Sequence, residues 1–346
     1  MEKSKELSNL NVVRTWLIVC IVFYHSALFW TGAWFPVPTE QTAPYLGWFA
    51  LWLNSFHIYS FVFLSGYLFY YQRRELGKYS NFTQFIKNKF RRLIVPYIFV
   101  SVCWNIPFAL YFNEDSFHLF TSYVLGRSPD QLWFLLMLFG VFVLFYNVEK
   151  LPFFLQKNKP SLGSFLICFF SFFIGIGGWF FVPNYFQIWR MFMYLFFFYL
   201  GYAARNGVLY EYLKTDNASL IRYAVLQIIL FIELQFLLIP NPFLDKLIQQ
   251  SFGYICHILG AFVAFHLLLK LAVFFDNKQK IIKKFSGYSF GIYLFHQQII
   301  YLGLCVLVNR MNPLFTTTIC FILSLWLSWL ITRLLSNKYT SWLIGG

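Results

Sequence analysis

Charged side chains are scarce in this sequence, and acidic ones are the scarcest. Only 12% of the 346 residues are charged, with 13 acidic residues against 27 basic ones, whereas 59% are hydrophobic. A chain of this length with so little charge does not match a water-soluble protein of two domains. The composition therefore predicts a polytopic membrane protein.

The cysteines and the net charge argue against a metalloprotein and against a nucleic-acid-binding protein. All six cysteines stand singly inside apolar runs, without a C-x-x-C pair or a cysteine–histidine spacing typical of a metal site. We therefore expect no bound metal and no resident cofactor. The net charge of +14 does not indicate nucleic acid as a partner, because an excess of lysine and arginine in a membrane protein usually marks its cytoplasmic loops.

Ten hydrophobic runs are long enough to cross a hydrocarbon layer of about 30 Å, which takes about 20 residues each. They lie near 12–30, 46–70, 90–112, 131–148, 162–182, 186–204, 220–239, 251–275, 286–308 and 313–335. The first run lacks a small-residue cleavage site, so we expect it to be retained rather than removed as a signal peptide. The predicted fold is an all-α integral membrane protein of about ten helices, with residues 1–346 forming a single membrane domain.

The loop charges agree with this number of spans. With ten spans, all but four of the 27 basic residues fall on one side of the membrane. The four are Arg127, Lys246 and Arg310 in loops on the opposite side, and Arg190 inside a span. Because lysine and arginine concentrate on the cytoplasmic side, this segregation predicts that both termini are cytoplasmic.

The first span, RTWLIVCIVFYH, carries a permanent charge at Arg14 and a titratable ring at His25. On an α-helix an eleven-residue step ends about 20° from where it began and about 16 Å along the axis, so both side chains share one stripe. Ionisable groups in a membrane usually face the interior of a bundle and mark a functional site. The alternative is that Arg14 is an interfacial anchor and that His25 makes a packing hydrogen bond.

Other polar residues fall within the predicted spans or at their ends. His57 and Glu233 come out at depths comparable to His25, and Glu233 is either functional or a structural partner of Arg190. The sequence KNKFRR, from Lys87 to Arg92, precedes the third span and either binds an anionic ligand or anchors the protein to anionic lipids. His257 and His266 are expected to make hydrogen bonds between helices, and the Ser65-Gly66 pair is expected to be a close-packing site.

Five segments stand out along the chain: Arg14 with His25, the phrase FVFLSGYLF from Phe61 to Phe69, the basic element Lys89 and Arg92 with Pro96 and Tyr97, LWFL from Leu132 to Leu135, and GYSFGIYLFH from Gly287 to His296. Together these segments resemble the membrane-bound acyltransferase 3 family of glycan and lipid O-acyltransferases. They occur in the family's order along most of the chain. Two positions depart from the pattern: Asn11 replaces an aspartate, and Lys89 replaces an arginine.

The resemblance implies an enzyme that transfers an acyl group, commonly acetyl, from cytoplasmic acyl-CoA to a hydroxyl of a surface or exported polysaccharide. His25 would be the general base, since a sugar hydroxyl is a weak nucleophile until its proton is removed. Arg14, Lys89, Arg91 and Arg92 would bind the donor, although Arg14 could instead stabilise the oxyanion.

Secondary candidates and partners follow from the same resemblance. His57, Glu233 and His296 would orient the base or the acceptor, and Trp133 would either line an acceptor groove or anchor at the interface. The expected location is the cytoplasmic membrane of a bacterium, in the lipid bilayer and alongside other polysaccharide-synthesis proteins. The main alternative is a transporter or flippase for a sugar, a lipid-linked glycan or a small acid, and a third is a structural subunit of an export assembly.

Overall fold

The computed structural model describes residues 2–32, 37–112, 116–128, 130–154, 162–205, 216–237, 239–274 and 279–346. Helices dominate these ranges, and no strand occurs in them. The prediction of an all-α protein is therefore confirmed.

Fourteen α-helices are present within the described residues. They are α1 Glu2–Leu28, α2 Pro44–Asn54, α3 His57–Tyr70, α4 Phe82–Lys89, α5 Val95–Val100, α6 Ile106–Tyr111, α7 Ser116–Val124, α8 Trp133–Val148, α9 Leu162–Phe181, α10 Ile188–Arg205, α11 Asn217–Phe236, α12 Pro242–Phe274, α13 Gln279–Leu307 and α14 Pro313–Leu335.

Seven of the helical segments in the described ranges are long and apolar enough to cross a membrane, which confirms a multi-pass membrane protein. They are Asn9–Thr31, Phe82–Tyr111, Leu162–Phe181, Asn217–Phe236, Pro242–Ala272, Ile282–Leu307 and Pro313–Leu335. The other three predicted spans coincide with shorter or less apolar helices: α8 has 16 residues, α10 has 18, and the run near 46–70 is broken into α2 and α3. Ten crossings with cytoplasmic termini stay a prediction.

The chain divides into two compact units. The first comprises Met1–Phe61 and Asp216–Leu334, and the second comprises Val62–Thr215 and Leu335–Gly346. The chain thus leaves the first unit within α3 and returns to it before α11.

In the first unit, α1 packs against α2, α12 and α13. The break between α2 and α3 is held by polar contacts to the neighbouring helices. Gln227 Nε2 donates to Ser55 Oγ over 2.8 Å, and the Nδ1 atom of His257 lies 2.8 Å from the Ser55 carbonyl oxygen. This contact confirms the interhelical hydrogen bond predicted for His257, whereas His266 contacts the Phe262 carbonyl of its own helix. A break inside a membrane helix is tolerated where neighbouring helices satisfy its backbone groups.

In the second unit, aromatic rings fill the space between α3, α4, α8 and α10. Ring centroids within 6.3 Å of the Phe69 ring belong to Phe85, Phe142, Phe145, Phe198 and Tyr202. Gly66 lets α3 approach α10 closely, because a Cβ atom there would lie 1.9 Å from the Phe198 carbonyl oxygen. The close-packing site predicted at Ser65-Gly66 is therefore confirmed.

The segment Phe82–Tyr111 is one continuous helix in which π turns precede two prolines. The π segments Phe90–Ile94 and Ser101–Asn105 end just before Pro96 and Pro107. Proline lacks an N–H and its ring clashes with the carbonyl four residues earlier, so a wider turn before it relieves the clash. The first of these wide turns carries two residues of the predicted donor-binding cluster.

Candidate active site and an arginine–tryptophan cleft

Helix α1 carries both residues of the predicted catalytic stripe. It is continuous from Glu2 to Leu28, so Arg14 and His25 project from the same side, about 16 Å apart along the axis. Both side chains are half-buried. The uninterrupted helix therefore keeps Arg14 and His25 on one stripe, as the sequence predicts.

The His25 ring lies against a second histidine, on α13. The Nδ1 atom of His25 is 3.0 Å from Nε2 of His296 and 3.1 Å from the carbonyl oxygen of Ile21. The Nδ1 atom of His296 lies 2.8 Å from the Tyr293 carbonyl oxygen, and the His296 residue is fully buried. The structure thus brings together two histidines that are 271 positions apart in the sequence.

These contacts assign the tautomers of the neutral rings. A carbonyl oxygen only accepts, so Nδ1 of His296 carries the hydrogen and donates it to the Tyr293 carbonyl. Nε2 of His296 is then an acceptor, and both groups facing Nδ1 of His25 accept a hydrogen bond. His25 consequently carries its hydrogen on Nδ1 and its lone pair on Nε2. This is the tautomer that a general base acting through Nε2 requires.

His57 is buried close to this pair. The ring of Tyr24 lies 4.7 Å from the His25 ring and 4.8 Å from the His57 ring, measured between centroids. The Nδ1 atom of His57 lies 2.7 Å from the Leu53 carbonyl oxygen. In the part of the chain that the structure describes, no group of three or more histidine, cysteine or acidic residues is placed to hold a metal ion.

Glu233 was predicted to be either functional or a structural partner of Arg190. Its side chain is exposed on α11 of the first unit, whereas Arg190 belongs to the second unit, where it contacts Gln187 and two tryptophan rings.

The Arg14 end of α1 also contacts α13. Ser286 Oγ donates to Asn11 Oδ1 over 3.4 Å, one turn before Arg14. Asn11 thus has a hydroxyl partner at the position where the family resemblance leads one to expect aspartate. Because Asn11 pairs with Ser286 and His25 pairs with His296, α1 and α13 run parallel.

The three predicted donor-binding residues have different environments in the second unit. Lys89 is half-buried, and its Nζ lies 3.6 Å from the centroid of the Phe142 ring. Arg91 is exposed, and its Nη2 donates to the Gly346 carbonyl oxygen over 3.2 Å. Arg92 is exposed on the same π turn. The two arginines are therefore accessible to an anionic ligand, and Lys89 packs against an aromatic ring.

A buried carboxylate at the end of α8 escaped the sequence analysis. Glu149 is fully buried and pairs with the guanidinium groups of Arg73 and Arg74, the latter at 2.6 Å. The hydroxyl of Tyr202 donates to the same carboxylate over 2.8 Å. These contacts tie the ends of α3, α8 and α10 together, so this acid is structural. Its sequence context, a loop rich in lysine, gave no sign of burial.

The opposite end of α8 and α10 forms an open cleft of about 580 Å³. Arg190 lies over the Trp133 ring with its Cζ atom 4.1 Å from the ring centroid, and 5.1 Å from that of Trp179. Arg127 and Gln187 also line the cleft. The predicted acceptor-groove residue Trp133 therefore lines a cavity together with two arginines.

The backbone around this cleft is constrained. Phe186 and Gln187 both have left-handed conformations, with φ of 50° and 60°. The Gln187 side chain donates to the Gly126 carbonyl oxygen over 2.7 Å and accepts from Arg190 over 3.2 Å. Left-handed non-glycine residues persist only where surrounding contacts hold them, and they concentrate at functional sites.

A second buried acid, Asp130, fixes the loop that carries Arg127. Tyr123 and Asn105 donate to its carboxylate, and Ser128 Oγ donates over 2.9 Å. Burial raises the pKa of Asp130, and the hydrogen bonds from Tyr123 and the other donors lower it in part. The sequence analysis missed this residue too, because an acid in a short loop is ordinarily solvated.

Comparison with known proteins identifies the class. The model of the acyltransferase 3 family, described as an acyltransferase domain, matches residues 7–333. No curated protein and no solved structure matches the chain. The family match covers nearly the whole chain, including both histidines of the α1–α13 pair and all the residues of the cleft. The protein is therefore a membrane acyltransferase that belongs to the acyltransferase 3 family.

Proposed function

We propose that this acyltransferase moves an acyl group from cytoplasmic acyl-CoA to a hydroxyl of a surface or exported polysaccharide, with His25 as the general base. The observation that carries the proposal is the contact between Nδ1 of His25 and Nε2 of His296. It leaves Nε2 of His25 with the lone pair that removes the acceptor proton. A bacterial cytoplasmic membrane, shared with other polysaccharide-synthesis proteins, is the setting we propose.

The chemical step balances as follows. The acceptor hydroxyl oxygen forms a bond to the thioester carbonyl carbon while its proton passes to Nε2 of His25. The resulting tetrahedral intermediate expels the CoA sulfur as the C–S bond breaks, and the imidazolium returns the proton to the thiolate. Positive charge on His25 strengthens its Nδ1–H bond to His296, since hydrogen bonds with an ionised donor are about twice as strong as neutral ones. His296 is thus a positioning residue that stabilises the protonated base.

The donor would be held by cationic groups. We propose that Arg14 binds the thioester end of acyl-CoA or its phosphates. Separately, we propose that Arg91, Arg92 and Lys89 bind phosphate groups. The exposure of the two arginines supports this role, because a guanidinium binds phosphate through two parallel hydrogen bonds. Arg14→Lys should raise the KM for acyl-CoA, because lysine cannot form the two parallel hydrogen bonds of a planar guanidinium.

The test compares acylation with export in cells. His25→Ala should abolish acyl incorporation into the surface glycan, measured by mass spectrometry, while protein level and the amount of exported polymer stay unchanged. His266→Ala is the matched control, because His266 is a half-buried histidine of the same unit whose Nδ1 contacts its own helix. Loss of export with acylation intact would favour a transporter and refute the proposal.

A further inference from the structure

The cleft at the start of α8 and α10 contains two arginines, Arg127 and Arg190. Few other basic residues are predicted on this side of the membrane. Residues Arg73, Arg74, Lys150 and Arg205 lie at or next to the other end of these helices. Arg190 and Arg205 are separated by about 22 Å along α10. Anchoring to cytoplasmic anionic lipid therefore does not account for Arg127 and Arg190, because the positive-inside rule assigns that role to the opposite end.

The cleft combines two kinds of recognition. Trp179 is 37% exposed and Trp133 is half-buried, and the indole surfaces that Arg190 does not cover offer apolar area for the carbon-bound hydrogens of a sugar ring. The guanidinium of Arg190 is held over those rings and hydrogen-bonded to Gln187, and exposed Arg127 lines the same cavity. A volume of about 580 Å³ falls within the range of ligand pockets, about 300–1,000 Å³.

The cleft is also preorganised. Gln187 is fixed by its bond to the Gly126 carbonyl, and Asp130 fixes the start of α8 through the Leu132 N–H at 3.1 Å. A Cβ on Gly126 would lie 2.7 Å from the Phe186 Cα, so the two loops that form the wall fit closely. A fixed arginine loses less entropy on binding a carboxylate or phosphate than a mobile one.

We propose that this cleft binds the acyl acceptor and that the acceptor is an anionic saccharide, with its carboxylate or phosphate at Arg190 and Arg127 and its sugar ring against Trp133 and Trp179. The assignment rests on the proposed function, since it names the acceptor of that reaction. By the positive-inside rule, the cleft opens on the extracytoplasmic side, where an exported glycan would arrive.

Binding without the donor tests the assignment. The full chain, in nanodiscs of phosphatidylcholine, is titrated calorimetrically with three probes: a trisaccharide of galacturonic acid, the neutral trisaccharide obtained by reducing its carboxylates, and a sugar phosphate. We expect an anionic probe to bind at least about tenfold more tightly than the neutral one, with the preference weakening as salt rises. Whether the carboxylate or the phosphate probe binds better identifies the anionic group.

Variants locate the site. Arg190→Gln and Arg127→Gln should each reduce the preference for the anionic probe, whereas Arg310→Gln, which removes an exposed arginine predicted on the same side, should not. If Arg190→Gln fails to fold because it packs on two indoles, Arg127→Gln carries the test, since its side chain is exposed. Because no acyl transfer is measured, the result is independent of the His25 test.

Three results would overturn the assignment. The first is equal affinity for the anionic and neutral saccharides. The second is a preference unchanged in both cleft variants. The third is an absence of saccharide binding together with Arg127-dependent binding of phosphatidylglycerol added to the nanodisc, which would make the cleft a lipid headgroup site.

Discussion

Replacing His296 by leucine removes the acceptor of the His25 hydrogen bond while keeping a buried side chain of similar volume. A hydrogen bond to a charged group contributes about 1.5–3 kcal/mol. Because the Ile21 carbonyl at 3.1 Å remains as a second acceptor for the same hydrogen, we expect the lower part of this range, about 1.5–2 kcal/mol. The rate of acyl transfer should therefore fall about 10–30-fold.

The assay is the release of CoA thiol at saturating acyl-CoA by the purified protein, with kcat and KM determined separately. The loss should appear in kcat and leave the KM for acyl-CoA unchanged, because the proposed mechanism gives His296 a role toward the protonated base and none toward the donor. His296→Gln is the conservative control, since its amide oxygen can accept from His25, and it should recover much of the lost rate. Equal rates for the leucine and glutamine variants, or a change confined to KM, would refute the reasoning.

Three further predictions concern stability, measured by thermal unfolding of the purified protein. Glu149→Ala should destabilise by about 3 kcal/mol, because it leaves two guanidinium groups without their buried partner, and Glu149→Gln should lose less. Gly66→Ala should cost about 1–3 kcal/mol, since the new Cβ meets the Phe198 backbone, whereas Gly287→Ala, with nothing within 4 Å, should be neutral or stabilising. Burial raises the pKa of Asp130 above its ordinary 3.8, so the folded protein keeps the carboxyl proton to higher pH than the unfolded chain does. The free energy of unfolding should therefore fall as the pH rises from the unfolded pKa through the folded one. Asp130→Asn should remove this pH dependence.

The long spans and the Arg14–His25 stripe were predictable from the sequence, because both depend on periodicity within one helix. Hydrophobic length alone located α9, α14 and the end of α1 to within a few residues. The break at Ser55 was not predictable from local sequence, since neither proline nor glycine marks it. It depends instead on Gln227 and His257, which belong to helices far along the chain.

The pairing of His25 with His296 could be anticipated only as a candidate. Sequence spacing reports which residues share a face of one helix, but not the register in which two helices pack. The same limit applies to the cleft. Trp133 was a candidate from its sequence position, but Arg190 and Arg127 line the same cleft only because the starts of α8 and α10 are adjacent. Buried Glu149 and Asp130 were missed because their burial is produced by tertiary contacts alone.

The role of His25 as the base is tested most directly by the rate of CoA release from acyl-CoA in the presence of a hydroxyl acceptor, comparing the purified wild-type protein with His25→Gln. Removing a general base should lower kcat by about 10²–10⁴-fold, with binding of acyl-CoA unchanged when it is measured separately by calorimetry. A His25→Gln protein that retains its donor affinity and transfers the acyl group within a few-fold of the wild-type rate would contradict the account.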